Sequence, residues 1–205
     1  MQREIADLVQ SFKKDKTFLI GVDGCGGSGK SSFARWLSQH VGGVVIHMDD
    51  FFLPSSIRTK KIGYEKPIAG DYDIQRVKTQ ILAPLREDKS TRYQRYDWVD
   101  DALAEWHDVP AGGFVLIEGV YALLPDLRDF YDFKVWVETP YDIRLKRGVE
   151  RDGEGMRSRW TDDWMPSEQR YIDTLKPQNA ANLVLDGSGH ANPADSMMVI
   201  RDFQR

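Results

Sequence analysis

The stretch Gly24-Cys25-Gly26-Gly27-Ser28-Gly29-Lys30-Ser31 joins four glycines to a lysine and a hydroxyl at fixed spacing, and fits G-x-x-x-x-G-K-[ST]. Glycines at these positions let successive backbone N–H groups turn inward, so that amides and the positive end of the following helix make a concave seat for anionic oxygens. Lys30 adds a mobile positive charge. Ser31 offers the small neutral oxygen that a hard cation such as Mg²⁺ accepts beside terminal phosphates. The expected ligand is a nucleotide, held by Gly24, Gly26, Gly27, Ser28, Gly29, Lys30, Ser31 and the adjoining Ser32. Cys25 occupies a variable position of the pattern and reads as a tolerated small residue.

Two acids and a row of arginines complete the chemistry. Asp49 follows the apolar run Val44-Val45-Ile46-His47-Met48, and Glu118 follows Phe114-Val115-Leu116-Ile117. In a parallel α/β sheet, ligands lie beyond the carboxyl ends of the strands, so acids at these ends share an edge with the glycine-rich loop. Ser31, Asp49 and Glu118 then form a candidate metal-centred set. The plainer alternatives are a turn acid for Asp49 and a helix-capping acid for Glu118. Arg144, Arg147 and Arg151 recur at i, i+3 and i+7 on one helix face, placed either to meet phosphate or to pair with Asp142, Glu150 or Asp152 on a bland surface. The charged segment from 151 to 163 reads as a short mobile lid, which favours phosphate contact.

These residues need a frame. Thr17-Phe18-Leu19-Ile20-Gly21-Val22 reads as a strand before the loop and Ser32 to Gln39 as a helix after it; further strands are expected at 44–48, 114–117, 133–137 and 182–185. An amphipathic helix is expected over residues 3–14, with Ile5, Leu8, Val9 and Phe12 on one face, and others over 73–87 and 164–175. Pro84 should end or bend the second of these. Residues 51–71 read as a long functional loop in which the cluster Arg58-Thr59-Lys60-Lys61 is solvated. Residues 91–109 read as a hairpin or flap. The stretch 187–193 is a loop before a tail carrying Met197, Met198, Val199, Ile200 and Phe203. No repeat or low-complexity stretch interrupts this pattern.

A chain of 205 residues is most simply one domain around one main core. A formal charge of −4 argues against a nucleic-acid binder driven by counterion release. One cysteine cannot form an intrachain disulfide, and no apolar run of about 18 residues occurs, so a cytoplasmic location without membrane contact is expected. A homo-oligomer is left open.

Gly21-Val22-Asp23-Gly24 through Ser31, Met48-Asp49-Asp50-Phe51-Phe52, Tyr64-Glu65-Lys66-Pro67, Tyr96-Asp97-Trp98, Leu116-Ile117-Glu118-Gly119, Glu138-Thr139-Pro140 and Arg147 to Asp152 resemble, in order and spacing, the uridine kinase family. The resemblance runs from residue 17 to 186. It implies an α/β phosphate-loop NTPase fold, a five-stranded parallel sheet with helices on both faces, and an ATP- and Mg²⁺-dependent kinase acting on a small-molecule hydroxyl. It makes Asp49 the counterpart of the acid that takes the acceptor hydroxyl's proton and Glu118 the acid near Mg²⁺. Arg144, Arg147, Arg151 and Asp152 match the family's R-x-x-R-x-x-x-R-D pattern, Arg144 on the nucleotide side and Arg147 and Arg151 at the transferring phosphate.

On the acceptor side the resemblance points to Phe52, Tyr64, Glu65, Tyr96 and Asp101. Tyr64-Glu65-Lys66-Pro67 stands where the family has aromatic-Asp-His-Pro, and Asp101 stands where it has a hairpin histidine. An ionised carboxylate only accepts hydrogen bonds, so Asp101 would favour a donor or cationic group, whereas Lys66 offers charge to an anionic acceptor. Uridine or cytidine is the first acceptor to consider. Pantothenate, nicotinamide riboside or a sugar phosphate remain alternatives, as does a nucleotide-hydrolysing regulatory module.

Overall fold

The computed structural model describes residues 2–12, 16–189 and 198–202. Helix α1 (Gln2–Ser11) buries Ile5, Ala6 and Val9. Strand β1 (Phe18–Asp23) is buried at every residue, as expected of a strand covered on both faces. Helix α2 (Lys30–Val41) starts directly from the phosphate loop and ends on Gly42 in a left-handed cap. Strand β2 (Val44–His47) is followed by a 3₁₀ turn, Met48–Phe51.

The 52–73 segment has a second 3₁₀ turn at Gly63–Glu65. Next, α3 (Ile74–Arg76), a π segment (Val77–Leu82) and α4 (Ala83–Arg86) run on as one helix. Pro84 therefore does not stop it. Proline cannot donate to the carbonyl four residues earlier, and here that carbonyl, Gln80 O, accepts instead from the Thr91 hydroxyl at 2.5 Å. Strands β3 (Thr91–Asp97) and β4 (Ala102–Val109) pair antiparallel as the expected flap.

Strand β5 (Phe114–Glu118), the short α5 (Pro125–Arg128), β6 (Phe133–Glu138) and α6 (Tyr141–Asp152) follow. The lid segment is helical: a 3₁₀ turn (Glu154–Met156), α7 (Arg157–Arg159) and a π segment (Trp160–Trp164) lead into α8 (Met165–Leu175). Strands β7 (Leu183–Asp186) and β8 (Met198–Asp202) complete the chain. The main sheet has the order β2-β5-β1-β6-β7-β8. Its first five strands are parallel, and β8 joins antiparallel to β7 as a sixth strand absent from the sequence reading. Met197, Phe203, residues 13–14 and residues 190–193, all included in that reading, lie outside the described residues.

Side-chain alternation divides the core. Leu19, Ile46, Val115, Ile117 and Trp136 pack on one face against Val77, Ile81 and Leu85 of the π-containing helix and Tyr171 of α8. Ile20, Val22, Leu116, Val135 and Val137 pack on the other against α1 and against Phe33 and Leu37 of α2. Helices thus cover both faces, and the carboxyl ends of β1, β2 and β5 share one edge.

Candidate active site

At that edge the phosphate loop turns through backbone forms that only glycine tolerates well. Gly27 has φ +75°, and a Cβ there would lie 2.6 Å from the Arg144 carbonyl oxygen. Gly29 precedes α2 with φ +95°; no side chain caps the helix and its first turn holds no acid. The first-turn N–H groups, which a helix cannot satisfy internally, therefore face the loop without a competing carboxylate. The Ser28 hydroxyl is buried without a hydrogen-bond partner, which suits a loop shaped around an absent polar ligand.

The loop is braced from behind. Glu168 of α8 accepts from Gly26 N–H at 3.0 Å through Oε1 and from Arg144 Nη1 at 3.1 Å through Oε2. Burial raises the Glu168 pKa, and the Arg144 charge and the Gly26 hydrogen bond oppose that rise. Arg144 is itself buried and donates from Nε to Thr139 O at 3.1 Å. Arg147 donates to the carbonyls of Gly27, Gly187 and Gly189 at 3.3, 2.7 and 2.6 Å. The structure therefore places Arg144 and Arg147 against the protein side of the loop, tied to backbone and to Glu168. Neither makes the pairs with Asp142 or Glu150 that a surface helix would offer.

Beyond the loop lie the strand-end acids. The parallel register sets His47 opposite Glu118, and His47 Nδ1 sits 2.5 Å from Glu118 Oε1. Ser31 Oγ donates to Glu118 Oε2 at 3.1 Å. Burial pushes the Glu118 carboxyl up, but the His47 hydrogen bond, the Lys30 charge and the Ser31 hydroxyl outweigh it and leave the pKa below the usual value. The same hydrogen bond raises the His47 pKa against burial. Sequence reasoning gave His47 no role, and only the register reveals one. Asp49 lies in the 3₁₀ turn and accepts from the Tyr72 hydroxyl at 3.1 Å.

Among the described residues no cluster of three or more His, Cys, Asp or Glu side chains could hold a metal alone. Mg²⁺ usually keeps waters and phosphate oxygens and takes only one or two carboxylates from the protein. The paired Ser31 hydroxyl and ionised Glu118 fit that requirement.

Lys30 and Asp49 open onto one cavity of about 460 Å³, within the range of small-molecule sites. Six aromatic residues line it, Phe52, Tyr72, Trp98, Tyr121, Trp160 and Trp164, together with charged side chains. The lid is packed down by Trp160, which is 2% exposed. This requires a glycine on the facing helix, since a Cβ at Gly148 would lie 2.4 Å from the indole. The indole N–H donates to Asp152 at 3.0 Å, and Asp152 also pairs with Arg151 at 2.7 Å. Arg151 lines the cavity. Of the three arginines it is the one placed there.

The other acceptor-side candidates are dispersed. Phe52 lines the cavity, whereas Tyr64, Glu65, Tyr96 and Asp101 are not among its lining residues. Tyr64 is 55% exposed. Tyr96 is buried behind Phe52 and donates to Asp101 at 2.5 Å. Asp101 also accepts from the Ser55 N–H at 2.9 Å and from the Ser55 hydroxyl, and pairs with Arg58 at 3.3 Å. These bonds hold its pKa down at about 2. Its carboxylate ties the flap turn to the 52–58 loop. Arg58 is accordingly not solvated like its neighbours Lys60 and Lys61, and it stacks over Phe52 at 4.8 Å. Lys66 does line the cavity, but its ammonium is held by Asp71 at 2.6 Å and Asp163 at 2.7 Å. Tyr72, Asp71, Trp160 and Glu168 went unremarked in the sequence because no local pattern links them; Trp98 appeared there only within a motif.

A sequence profile of the phosphoribulokinase/uridine kinase family matches residues 19–181. A uridine kinase from Staphylococcus carnosus (strain TM300) is 28% identical over 191 residues, covering 82% of this chain and 90% of its own. A uridine kinase from Ligilactobacillus salivarius (strain UCC118) is 26% identical over 212 residues, covering 94% and 97%. In fold, a protein from Bacillus stearothermophilus described as a possible uridine kinase superposes with a TM-score of 0.70 at 21% identity, covering 89% of this chain and 96% of its own. With a phosphate loop, its following helix and two strand-end acids on one edge of a parallel sheet, the chain belongs to the phosphoribulokinase/uridine kinase family, kinases that transfer a phosphoryl group from ATP to a hydroxyl of a small molecule.

Proposed function

We propose that this kinase is Mg²⁺-dependent and phosphorylates a primary hydroxyl of a ring-bearing metabolite, with the 5′-hydroxyl of uridine or cytidine as the first candidate. One observation carries the reading: Lys30 and Asp49 open onto the same aromatic cavity of about 460 Å³. The nucleoside assignment is further supported by the names of the relatives.

Phosphoryl transfer asks the protein mainly to position groups and neutralise charge. Lys30 and the first-turn amides of α2 hold the nucleotide's terminal phosphates. Ser31 and Glu118 would hold Mg²⁺, which supplies further neutralisation of phosphate charge when bound. Asp49, steadied by the Tyr72 hydroxyl, accepts the proton of the attacking hydroxyl. Arg151 stands at the cavity wall to stabilise charge on the transferring group. Arg144, Arg147 and Glu168 keep the loop in shape. The packed lid and aromatic wall keep water from competing with the acceptor. ADP release measured with ATP and a panel of nucleosides and other hydroxylated metabolites tests the assignment. Uridine and cytidine should outrun the rest, and preference for a ring-free acceptor would overturn it.

A further inference from the structure

We propose that the acceptor cavity selects by charge, admitting uncharged or cationic hydroxyl compounds and rejecting those that carry a carboxylate or phosphate, with Asp163 as the residue that sets this rule by neutralising Lys66. The proposal rests on the reading of this cavity as the phosphoryl-acceptor site.

To bind an anion, such a cavity needs a cation whose charge is not already compensated. Lys66 is the obvious candidate by sequence, and the structure removes it. Lys66 is 4% exposed and lies between Asp71, 7% exposed, and Asp163, 3% exposed. Its ammonium is 2.6 Å from the first carboxylate and 2.7 Å from the second. Arg159 reaches Asp163 at 3.2 Å from a half-exposed position. The cluster of Lys66, Arg159, Asp71 and Asp163 is therefore neutral. An ammonium has three N–H donors, so Lys66 keeps one more hydrogen bond to give but no net charge to offer.

Further ionic groups of the wall are held in ion pairs. Arg151 is bound to Asp152, and Glu168 to Arg144. Lys30 makes no ion pair within 4 Å among the described residues, and it faces the nucleotide phosphates in the proposed reaction. Asp49 is left as a carboxylate on the acceptor side. The aromatic rings add to the bias, because their faces carry negative potential and attract cations. An anionic acceptor would meet a carboxylate, ring faces and the phosphates of the nucleotide. Once Lys30 is engaged by those phosphates, no unpaired cation among the described lining residues is left to offset its desolvation. A neutral carbonyl or hydroxyl can still accept the third N–H of Lys66.

Acceptors matched in shape but differing in charge provide the test. Suitable sets are 5-carboxyuridine, 5-carbamoyluridine and 5-aminomethyluridine, and, without a nucleobase, pantothenate against its alcohol. Steady-state kcat/KM would be measured with saturating ATP and Mg²⁺. In the wild type the carboxylate member should fall at least tenfold below its neutral partner. Asp163→Asn keeps an oxygen for the Gly63 N–H, which Asp163 accepts at 3.1 Å, but leaves the cluster of Lys66, Arg159 and Asp71 with one uncompensated positive charge. It should narrow the gap about tenfold. The wild-type comparison stands alone if that variant does not fold. A carboxylate acceptor that equals its neutral partner in the wild type overturns the charge rule and leaves the kinase assignment intact. If ATP binds and no acceptor stimulates ADP release, the acceptor-site reading falls and the charge rule falls with it.

Discussion

The two halves of the site are built differently. The phosphate half comes from one contiguous stretch, residues 24–32, and works largely through backbone amides. The acceptor half draws Phe52, Lys66, Tyr72, Trp98, Tyr121 and Trp160 from four separate parts of the chain and works through side chains. A backbone site needs only a particular turn in front of a helix, which glycine spacing specifies locally. A side-chain site needs elements distant in sequence to be packed in register. The phosphate half nevertheless depends on distant support, since Gly26 is tied to Glu168 and Gly27 to Arg147. Catalytic and supporting residues are thus distinct groups, and substitutions should separate them.

The largest expected effect is on catalysis from the phosphate half. Lys30→Ala should lower kcat by roughly 10³-fold or more, as loss of a preorganised charge at the developing transition state does. Its thermal melting should stay near wild type, and unchanged turnover would dissolve the distinction between the halves. Asp49→Asn, on the boundary, should cost roughly 10²-fold or more in kcat with a smaller change in ATP affinity. Equal loss of both would move Asp49 to the phosphate half, as a metal ligand.

Glu168→Gln examines the support beneath the loop. Glutamine can still accept from the Gly26 N–H, but it leaves the buried Arg144 charge uncompensated, at a cost of about 3 kcal/mol in stability by denaturant unfolding. A double change that also replaces Arg144 by methionine should recover part of that loss. Gly148→Ala applies the same idea to the lid. Its Cβ collides with the Trp160 indole, so stability should fall by about 1–3 kcal/mol, and the acceptor KM should rise more than the ATP KM. Equal shifts in the two constants would show that the lid does not belong to the acceptor half.

The smallest effect concerns pH at the flap. The folded-state pKa of Asp101, at about 2, lies below the ordinary value of 3.8. A depressed carboxyl contributes stability above the unfolded-state pKa and loses it as pH falls through the folded one. The flap turn should therefore loosen between about pH 4 and pH 2, visible as a change in fluorescence from the half-exposed Trp98 beside it. Asp101→Asn should remove that step, and a step that survives the change belongs to another group.

Local sequence carried much of the fold. Apolar runs identified β1, β2, β5, β6 and β7, and the loop motif fixed the start of α2. Strands β1 and β5 are buried at every residue, as strands covered on both faces need uninterrupted hydrophobicity, whereas β2, expected to be buried, lies at the sheet edge and buries only Ile46. β8 escaped, since an antiparallel edge strand after a glycine-rich stretch has no such signature. The helix runs two residues past Pro84 before it ends, because a hydroxyl from β3, seven residues after the proline, satisfies the carbonyl that Pro84 abandons.

The sequence by itself determined the phosphate loop, its lysine and serine, and the strand-end positions of Asp49 and Glu118, since each depends on neighbours in the chain. Tertiary structure alone decided the rest of the site. Register placed His47 against Glu118, and packing turned Arg144 and Arg147 toward the back of the loop rather than its mouth. The flap turn took Asp101 for its own anchoring. Lys66, which the sequence offered as a free charge, became part of a neutral buried cluster because Asp163, 97 residues further on, folds back beside it. Charge on a side chain is written in the sequence, but whether that charge remains available to a ligand depends on which partners the fold brings within about 3 Å.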